Sequence, residues 1–242
     1  MPIRHFRVIY SLIKPCLKRR KILVSVKRWL WRKFVLRRSK QSFLENLKAD
    51  SNILDVGCGN NSPLFTKRIL PQCNYTGIDI QNYNQTNIGI ADNYIITTPD
   101  KFSDEISKFR HAFDAVISTH NLEHCNERER VLTALLDAVK VNGSIYLSFP
   151  CEQSVNFPNR HGTLNYFDDE THLGKPPEFS KILNTVSDKG FLIEFSTKNY
   201  KPLLYWLAGL FMENMSRRHN KVYYATWAYY GFESIICAKK IK

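Results

Sequence analysis

Apolar residues along this chain fall into two alternating patterns. Short, nearly continuous apolar runs are typical of strands buried on both faces of a parallel sheet, and they occupy residues 53–56, 75–80, 94–97, 115–118 and 191–195. Between these runs, apolar residues recur at the spacing of one helix face, which predicts helices over residues 62–70, 104–111, 127–139 and 176–189. Strands that alternate with helices predict an α/β fold with a parallel sheet at its core.

The first predicted strand leads into a turn that contains two glycines. Residues 53–59 are Ile-Leu-Asp-Val-Gly-Cys-Gly, so Asp55 precedes the turn, and Gly57 and Gly59 form it. The second strand carries another acid, Asp79, 20 residues after Gly59. A strand, a glycine-rich turn, a helix and a second strand with an acid at this spacing form the plan of a nucleoside-binding βαβ unit. The second acid of such a unit accepts hydrogen bonds from ribose hydroxyls.

The residues after the turn indicate which nucleoside is bound. A dinucleotide site has a third glycine that lets the helix pack near a pyrophosphate, whereas this chain has Ser62 followed by Pro63 at that point. Asp55 places negative charge near the turn, which suits a cationic ligand that has a ribose and no phosphate. We therefore expect S-adenosylmethionine as the cofactor. A nicotinamide cofactor and a site that has lost its ligand are the alternatives.

Four segments resemble motifs of the class I S-adenosylmethionine-dependent methyltransferases. They are Ile53–Gly59, Gly77–Ile80, Phe113–His124 and Val141–Pro150. The resemblance covers residues 50–200, with a last strand near residues 231–240. It implies a Rossmann-like, doubly wound sheet that is mostly parallel with a C-terminal antiparallel strand. It also implies that the triplet of residues 122–124, Leu-Glu-His, opens the helix after the fourth strand.

The resemblance also implies which residues contact the cofactor. They follow the first, second and fourth strands, and they are Asp55, Gly57, Cys58, Gly59, Asp79, Ile80, Thr119 and His120. The family often has an acid or amide beside the adenine after the third strand. This chain departs from that pattern because it has Thr-Thr-Pro-Asp over residues 97–100.

Positive charge is concentrated in the first 40 residues. The chain has 35 basic and 22 acidic residues and a formal net charge of +13, and residues 1–40 contain 14 of the basic residues and none of the acidic ones. Apolar residues recur between these charges at helical spacing, namely Ile22, Leu23, Val26, Trp29, Leu30 and Phe34. A basic amphipathic helix of this kind predicts binding to an anionic membrane surface. A helical lid on the domain and a nucleic-acid-binding arm are the alternatives.

Cysteine usage and the lengths of the apolar runs suggest where the protein works. The six cysteines form no CxxC pair and no metal-ligand spacing, so we expect no metal site and a reducing compartment. No uncharged run approaches the ~18 residues of a spanning helix. We expect a cytoplasmic protein, peripheral on the cytoplasmic membrane face, with a basic helical arm over residues 1–45. A methyltransferase domain over residues 46–242 then carries an inserted substrate loop, 151–175, and an aromatic-rich segment, 200–232.

The inserted loop contains the preferred candidates for catalysis. A hydroxyl acceptor must lose its proton as the methyl group is transferred, and a histidine can accept that proton near neutral pH. His161 and His172 lie in the loop 151–175, and His124 follows the fourth strand. Because loops beyond the carboxyl ends of parallel strands bind substrate, we prefer His172 and His161 as the general base, with His124 as a third candidate. Glu123 and His124 have the alternative role of orienting the cofactor or capping a helix.

The arm and the polar loop together favour one class of acceptor. A glycan or a lipid-linked sugar fits a membrane-bound enzyme with a polar substrate loop, and the C-terminal layout resembles methyltransferases of bacterial surface-polysaccharide synthesis. An RNA methyltransferase is the alternative enzyme. An inactive, methyltransferase-like protein that binds membranes is the alternative of another class. We expect the aromatic-rich segment 200–232 to form core, with a sugar-stacking wall or a second membrane contact as alternatives.

Overall fold

The computed structural model describes residues 38–242, and the predictions for residues 1–37 of the basic arm lie outside this range. The described strands form a seven-stranded sheet in the order β3-β2-β1-β4-β5-β7-β6. The strands are β1 (Asn52–Val56), β2 (Asn74–Asp79), β3 (Asn93–Ile96), β4 (Phe113–Thr119), β5 (Val139–Pro150), β6 (Phe191–Thr197) and β7 (Glu233–Lys240). β7 runs antiparallel to β5 and β6, and the other neighbours are parallel. The predicted fold class is therefore confirmed.

Helices cover both faces of this sheet. The described helices are α1 (Lys40–Glu45), α2 (Ser62–Ile69), α3 (Phe102–Ser107), α4 (Arg128–Ala138), α5 (Phe179–Asp188), α6 (Leu203–Arg218) and α7 (Thr226–Tyr230). One core cluster buries the apolar sides of α3, α4 and α5 against the sheet, and the other contains Leu44 of α1 and residues that follow α2. Because helices cover both faces of the sheet, side chains on both faces of each central strand are buried. This explains why the strand sequences are continuously apolar.

The helix predicted over residues 127–139 is confirmed as α4, but the Leu-Glu-His triplet does not open it. Residues Leu122–His124 form a short 3₁₀ turn, and α4 begins only at Arg128. Cys125 follows the turn with an extended backbone, at φ −96° and ψ 126°, and this conformation cannot continue a helix. The prediction that the triplet opens the helix was therefore wrong. The helix expected over residues 104–111 also differs, since it runs from Phe102 to Ser107.

The aromatic-rich segment forms a helical pair outside the sheet. α6 packs on α7 through Gly209, where an added Cβ would lie 2.5 Å from the carbonyl oxygen of Ala225 and 2.6 Å from Cβ of Tyr229. The opposite side of α6 leaves six large apolar side chains exposed, namely Leu203, Leu204, Leu207, Leu210, Phe211 and Met215. The expectation that this segment forms core is wrong for that side of α6.

Strand order determines where the sheet can bind a ligand. β1 and β4 are parallel neighbours, and the chain continues from β1 towards β2 on one side and from β4 towards β5 on the other. In such sheets the crevice beyond the carboxyl ends of the two central strands is the usual binding site. Val56 ends β1 and Thr119 ends β4, so residues that follow these two positions face this crevice.

Candidate active site

A cavity of about 910 Å³ opens beyond the carboxyl ends of β1, β2 and β4. Six of the eight residues predicted to contact the cofactor line it, namely Gly57, Gly59, Asp79, Ile80, Thr119 and His120. Two of the three candidate bases, His124 and His172, line the same cavity. The structure therefore brings most of the predicted site together in one place.

The turn after β1 exposes its backbone to the cavity because it contains glycines. Gly57 has a φ of +71°, and an added Cβ would lie 2.7 Å from the Cβ and Oδ1 of buried Asn121. An added Cβ on Gly59 would lie 3.1 Å from Cδ1 of Tyr83. The glycines thus fulfil the two functions expected of them, a left-handed backbone at the first position and a close approach at the second.

Asp55 lies beneath the cavity and is not part of its wall. Its carboxylate is fully buried, and Oδ2 accepts hydrogen bonds from Lys40 Nζ at 3.0 Å, Ser62 Oγ at 2.5 Å and Tyr75 OH at 3.0 Å. Lys40 and Ser62 do line the cavity. A contact between Asp55 and the cofactor stays a prediction, whereas its ion-pair partner Lys40 lines the cavity.

Cys58 also points away from the cavity. Its side chain is fully buried against β2, where a Cβ on Gly77 would lie 2.7 Å from its sulfur. Burial, with a smaller contribution from the charge of Asp55, raises the pKa of the Cys58 thiol. The side chain is therefore a neutral packing group, and only the backbone of Cys58 belongs to the turn.

The end of β2 combines one carboxylate with apolar surface. Asp79 lines the cavity, and its Oδ1 accepts a hydrogen bond from the backbone N–H of Ile80 at 2.7 Å. Burial raises the pKa of Asp79, although backbone N–H groups partly oppose the shift. Ile80 and Tyr83 line the cavity with 45% and 51% of their surfaces exposed. Asp79 can accept hydrogen bonds from a diol, and Ile80 and Tyr83 can pack against a flat apolar ring.

His120 joins the end of β4 to the start of β7. Its Nδ1 lies 3.1 Å from Oε1 of Glu123, and its Nε2 lies 2.9 Å from Oε1 of Glu233. Burial alone would lower the pKa of His120, but the two carboxylates raise it to about 10. The ring also packs on Trp227, with a centroid distance of 5.0 Å. His120 is thus a charged bridge with both nitrogens occupied.

The rings of His172 and His124 are neighbours in the lining of the cavity, with centroids 4.9 Å apart. The Nδ1–H of His172 donates to the carbonyl oxygen of Tyr166 at 2.6 Å, because a carbonyl can only accept. The lone pair of His172 is therefore on Nε2. Burial lowers the pKa of His172, which favours the neutral imidazole. Nδ1 of His124 lies 3.0 Å from Oγ1 of Thr171.

His161, the other loop histidine, lies apart from this pair. Its side chain is exposed, and its backbone pairs with the segment between α6 and α7 through Asn220 and Val222 at 3.1 and 2.8 Å. It is absent from the cavity wall, although the adjacent Gly162 and Thr163 line it. The structure therefore brings together two of the three candidate bases, and a catalytic role for His161 stays a prediction.

Buried polar contacts hold the substrate loop against α6 and α7. Arg160 makes two hydrogen bonds to Glu213 at 2.9 and 2.6 Å and a third to Ser216 at 2.6 Å. Asp168 accepts three backbone N–H bonds from the same loop, at 2.8–3.0 Å. Trp227 donates from Nε1 to the carbonyl oxygen of Thr163 at 2.7 Å. These hydrogen bonds fix the loop as one wall of the cavity, and Trp227 of α7 adds an aromatic ring to the cavity lining.

Sequence analysis missed several residues of this site. Lys40 was counted only as part of the basic arm, and Glu233 was not singled out. The aromatic-rich segment was noted, yet nothing in its pattern distinguished Trp227 as the ring beside His120. A signal did exist for Lys40, because a fully buried acid such as Asp55 needs a cationic or hydrogen-bonding partner.

Within residues 38–242, no helix combines the length and the apolar character needed to cross a bilayer.

The chain matches a family model described as a methyltransferase domain over residues 28–229. No curated protein matches it. A methyltransferase from Mesorhizobium loti that depends on S-adenosylmethionine has a similar structure, with a TM-score of 0.55, 14% identity, and coverage of 78% of this chain and 91% of that one. A second such enzyme, from Archaeoglobus fulgidus, has a TM-score of 0.50 and 18% identity, with coverage of 88% and 99%.

Phosphoethanolamine N-methyltransferase 2 of Haemonchus contortus, solved in complex with S-adenosylmethionine, is also similar. Its TM-score is 0.54 at 13% identity, and the alignment covers 87% of this chain and 52% of that one. At these identities the solved structures support the fold, whereas the family model spans most of the chain and supports the family. The match to the family model shows that the chain belongs to the methyltransferase-domain family.

Proposed function

We propose that this enzyme methylates a hydroxyl group of a glycan or lipid-linked sugar at an anionic membrane surface. The observation that carries the proposal is the position of the His124–His172 pair in the same cavity as the glycine turn and Asp79. A hydroxyl acceptor requires a group that assists the loss of its proton, and a neutral imidazole beside the cofactor residues supplies one.

The residues present fit S-adenosylmethionine. Gly57 and Gly59 line the cavity, so a ligand can approach their backbone closely. Asp79 can accept hydrogen bonds from the ribose diol, and Lys40, whose ammonium already bonds Asp55 and Ser62, has a third donor for the methionine carboxylate. When bound, the cofactor supplies a methyl group that its sulfonium has already activated.

The work left for the protein is mainly alignment and proton removal. In-line displacement needs the acceptor oxygen held behind the methyl carbon, and proximity of this kind contributes several kcal/mol to catalysis, about 7–11 in well-oriented cases. His172 has its lone pair on Nε2 because Nδ1–H is held by Tyr166. His120 is held between Glu123 and Glu233, and its ring packs against Trp227 in the cavity lining.

The cavity wall suits a sugar. Trp227 offers a half-buried aromatic face, and Asp169 and Thr171 contribute polar side chains to the lining of the same cavity. A sugar ring has an apolar face for the indole and a rim of hydroxyls for the polar groups. The braced loop around Arg160 and Asp168 keeps these groups in fixed positions.

Two features support a membrane surface as the place of work. The exposed side of α6 carries apolar residues at helical spacing, including Leu207 and Phe211, the latter 82% exposed. Its last turn carries Arg217 and Arg218, and residues 1–40 add 14 basic residues without an acid. Each basic residue near an anionic leaflet contributes about 1 kcal/mol, and apolar side chains add a contribution that does not depend on salt.

Two assays test this function. In the first, purified enzyme is incubated with methyl-labelled S-adenosylmethionine and a panel of glycans, lipid-linked sugars, RNA and lipids. Label in a sugar hydroxyl of one glycan class supports the proposal, whereas label only in RNA overturns the sugar acceptor. His172→Ala should reduce this transfer while S-adenosylhomocysteine still binds, as calorimetry would measure.

The second assay is co-sedimentation with vesicles that contain anionic lipid. We expect the full chain to sediment, and Leu207→Ser with Phe211→Ser to weaken this association without any loss of charge. Leu192→Ser is the matched control, since Leu192 is 56% exposed on β6, away from α6. If α6 variants sediment like wild type and the chain instead binds RNA with a steep dependence on salt, nucleic acid is the partner.

A further inference from the structure

Three side chains with metal-binding atoms converge on one wall of the cavity. They are Glu123, His124 and His172, and each offers one ligand atom within 4.8 Å of the other two. Glu123 and His124 belong to the turn after β4, whereas His172 comes from the inserted loop. The loop is tied to the turn here by a hydrogen bond from the backbone N–H of Leu173 to the carbonyl oxygen of Glu123 at 2.9 Å.

A second, independent observation marks this cluster as a binding site. Glu123 is only 1% exposed, and its Oε2 has no hydrogen-bond partner among the described residues, while Oε1 contacts His120. A buried carboxylate oxygen without a partner costs about 1–3 kcal/mol or more. A cation bound beside this oxygen would remove that cost.

The two imidazoles are arranged as metal ligands usually are. A ligating histidine commonly donates its other ring N–H to a carbonyl or another polar group, which orients the ring. Nδ1 of His172 lies 2.6 Å from the carbonyl oxygen of Tyr166, and Nδ1 of His124 lies 3.0 Å from Oγ1 of Thr171. Nε2 of each ring is therefore the nitrogen available as a metal ligand, and in His172 this atom also lies 3.9 Å from Oδ2 of Asp169.

We infer that Glu123, His124 and His172 bind a divalent cation of the zinc, cobalt or manganese type. Two imidazole nitrogens and one carboxylate oxygen form a donor set that suits these ions and leaves coordination positions open. Bonds of about 2.1 Å separate ligand atoms by roughly 3–4 Å. Small rotations of the side chains would therefore close the cluster, which now spans at most 4.8 Å.

The open positions of this ion face the cavity and give it a function in catalysis, which rests on the proposed hydroxyl acceptor. A hydroxyl bound to a divalent cation loses its proton more readily, and this proton passes to solvent water. The hydroxyl oxygen forms its bond to the methyl carbon as the carbon–sulfur bond breaks, with both electrons of that bond going to sulfur. In this scheme His124 and His172 assist the loss of the proton through the ion that they hold, and they do not accept the proton directly.

Metal titration of the full chain tests the inference directly. After treatment with a chelator and its removal, the chain is titrated with Co²⁺ and followed by visible absorption, and Zn²⁺ and Mn²⁺ are then used as competitors. We expect one Co²⁺ ion per chain. Glu123→Gln, His124→Ala and His172→Ala should each weaken binding by about tenfold or more. His219→Ala should bind as wild type does, because His219 is an exposed histidine at the end of α6.

Melting temperature and S-adenosylhomocysteine affinity report whether each variant is folded. Should Glu123→Gln fail to fold, His172→Asn replaces it, because this change removes the ligand nitrogen and keeps a polar side chain. The inference is overturned if wild type binds no Co²⁺, or if the cluster variants bind it as tightly as His219→Ala does.

Methyl transfer separates this inference from the proposed function. Unchanged transfer to a sugar by the chelator-treated enzyme would leave the proposed function standing and overturn the metal role. A bound ion without transfer to any hydroxyl acceptor would support the site and overturn the proposed function. Transfer that is lost with the ion and restored by Co²⁺ or Mn²⁺ supports both.

Discussion

Replacing Gly57 by alanine tests why the turn after β1 requires glycine. At a φ of +71° a residue with a Cβ costs about 1–2 kcal/mol. The new Cβ would also lie 2.7 Å from two atoms of Asn121, whose side chain is buried and donates a hydrogen bond to Ser118 Oγ at 3.3 Å. Overpacking of this kind costs about 1–3 kcal/mol. We expect Gly57→Ala to lower the free energy of unfolding by about 2–5 kcal/mol, the sum of the two costs.

Gly174 provides a matched control for the backbone cost. Its φ is +62°, yet an added Cβ would meet no atom within 4 Å. Gly174→Ala should therefore lose only the backbone contribution of about 1–2 kcal/mol. In a chain of this size, 1 kcal/mol shifts Tm by about 2–4 °C, so the two variants should differ in Tm by about 2–12 °C.

Thermal denaturation followed by circular dichroism measures this difference, and calorimetry with S-adenosylhomocysteine measures the effect on the site. Gly57→Ala should bind S-adenosylhomocysteine more weakly than wild type, because the backbone of this turn forms the cavity wall. Gly174→Ala should bind it with wild-type affinity. Equal losses of Tm in the two variants would refute the steric reasoning about Asn121. Wild-type affinity in Gly57→Ala would refute the role of the turn in binding.

Three further predictions concern other parts of the cavity. Asp79→Asn should weaken binding of S-adenosylhomocysteine by about tenfold or more in calorimetry, since hydrogen bonds to a charged group contribute about 1.5–3 kcal/mol, and exposed Asp188→Asn should not. Arg160→Met should cost about 3–5 kcal/mol in urea unfolding, because it leaves Glu213 without its buried partner. Backbone N–H bonds outweigh burial and lower the pKa of Asp168 below its usual 3.8. The stability advantage of wild type over Asp168→Asn should thus be complete at neutral pH, and should be lost as pH falls below about 4.

The predictable features of this molecule are those determined by residues that are close together in the sequence. The apolar runs identify strands because each strand is buried on both faces, and the glycine turn is recognisable because Gly57, Gly59 and Asp79 belong to one βαβ unit. The buried stripe of α4 was also confirmed, since its apolar residues follow helical spacing and contact the sheet.

The parts that were not predictable depend on residues that are distant in the chain. His172 meets Glu123 and His124 only because the inserted loop folds back onto the turn after β4. No spacing rule for metal ligands covers such a pair, which is why the sequence predicted no metal site. α6 was missed because residues 202–212 carry no charge, and an uncharged run lacks the contrast between polar and apolar positions that reveals a helix face.

The position of β7 has a consequence for the order in which this protein can fold during synthesis. β7 is the last of the described strands to be made, yet it lies inside the sheet between β5 and β6. Until β7 leaves the ribosome, β6 has no neighbour in the sheet and β5 presents an open edge that can pair with other chains. The nascent protein is therefore prone to aggregation until β7 emerges, and truncation before Glu233 would make that state permanent.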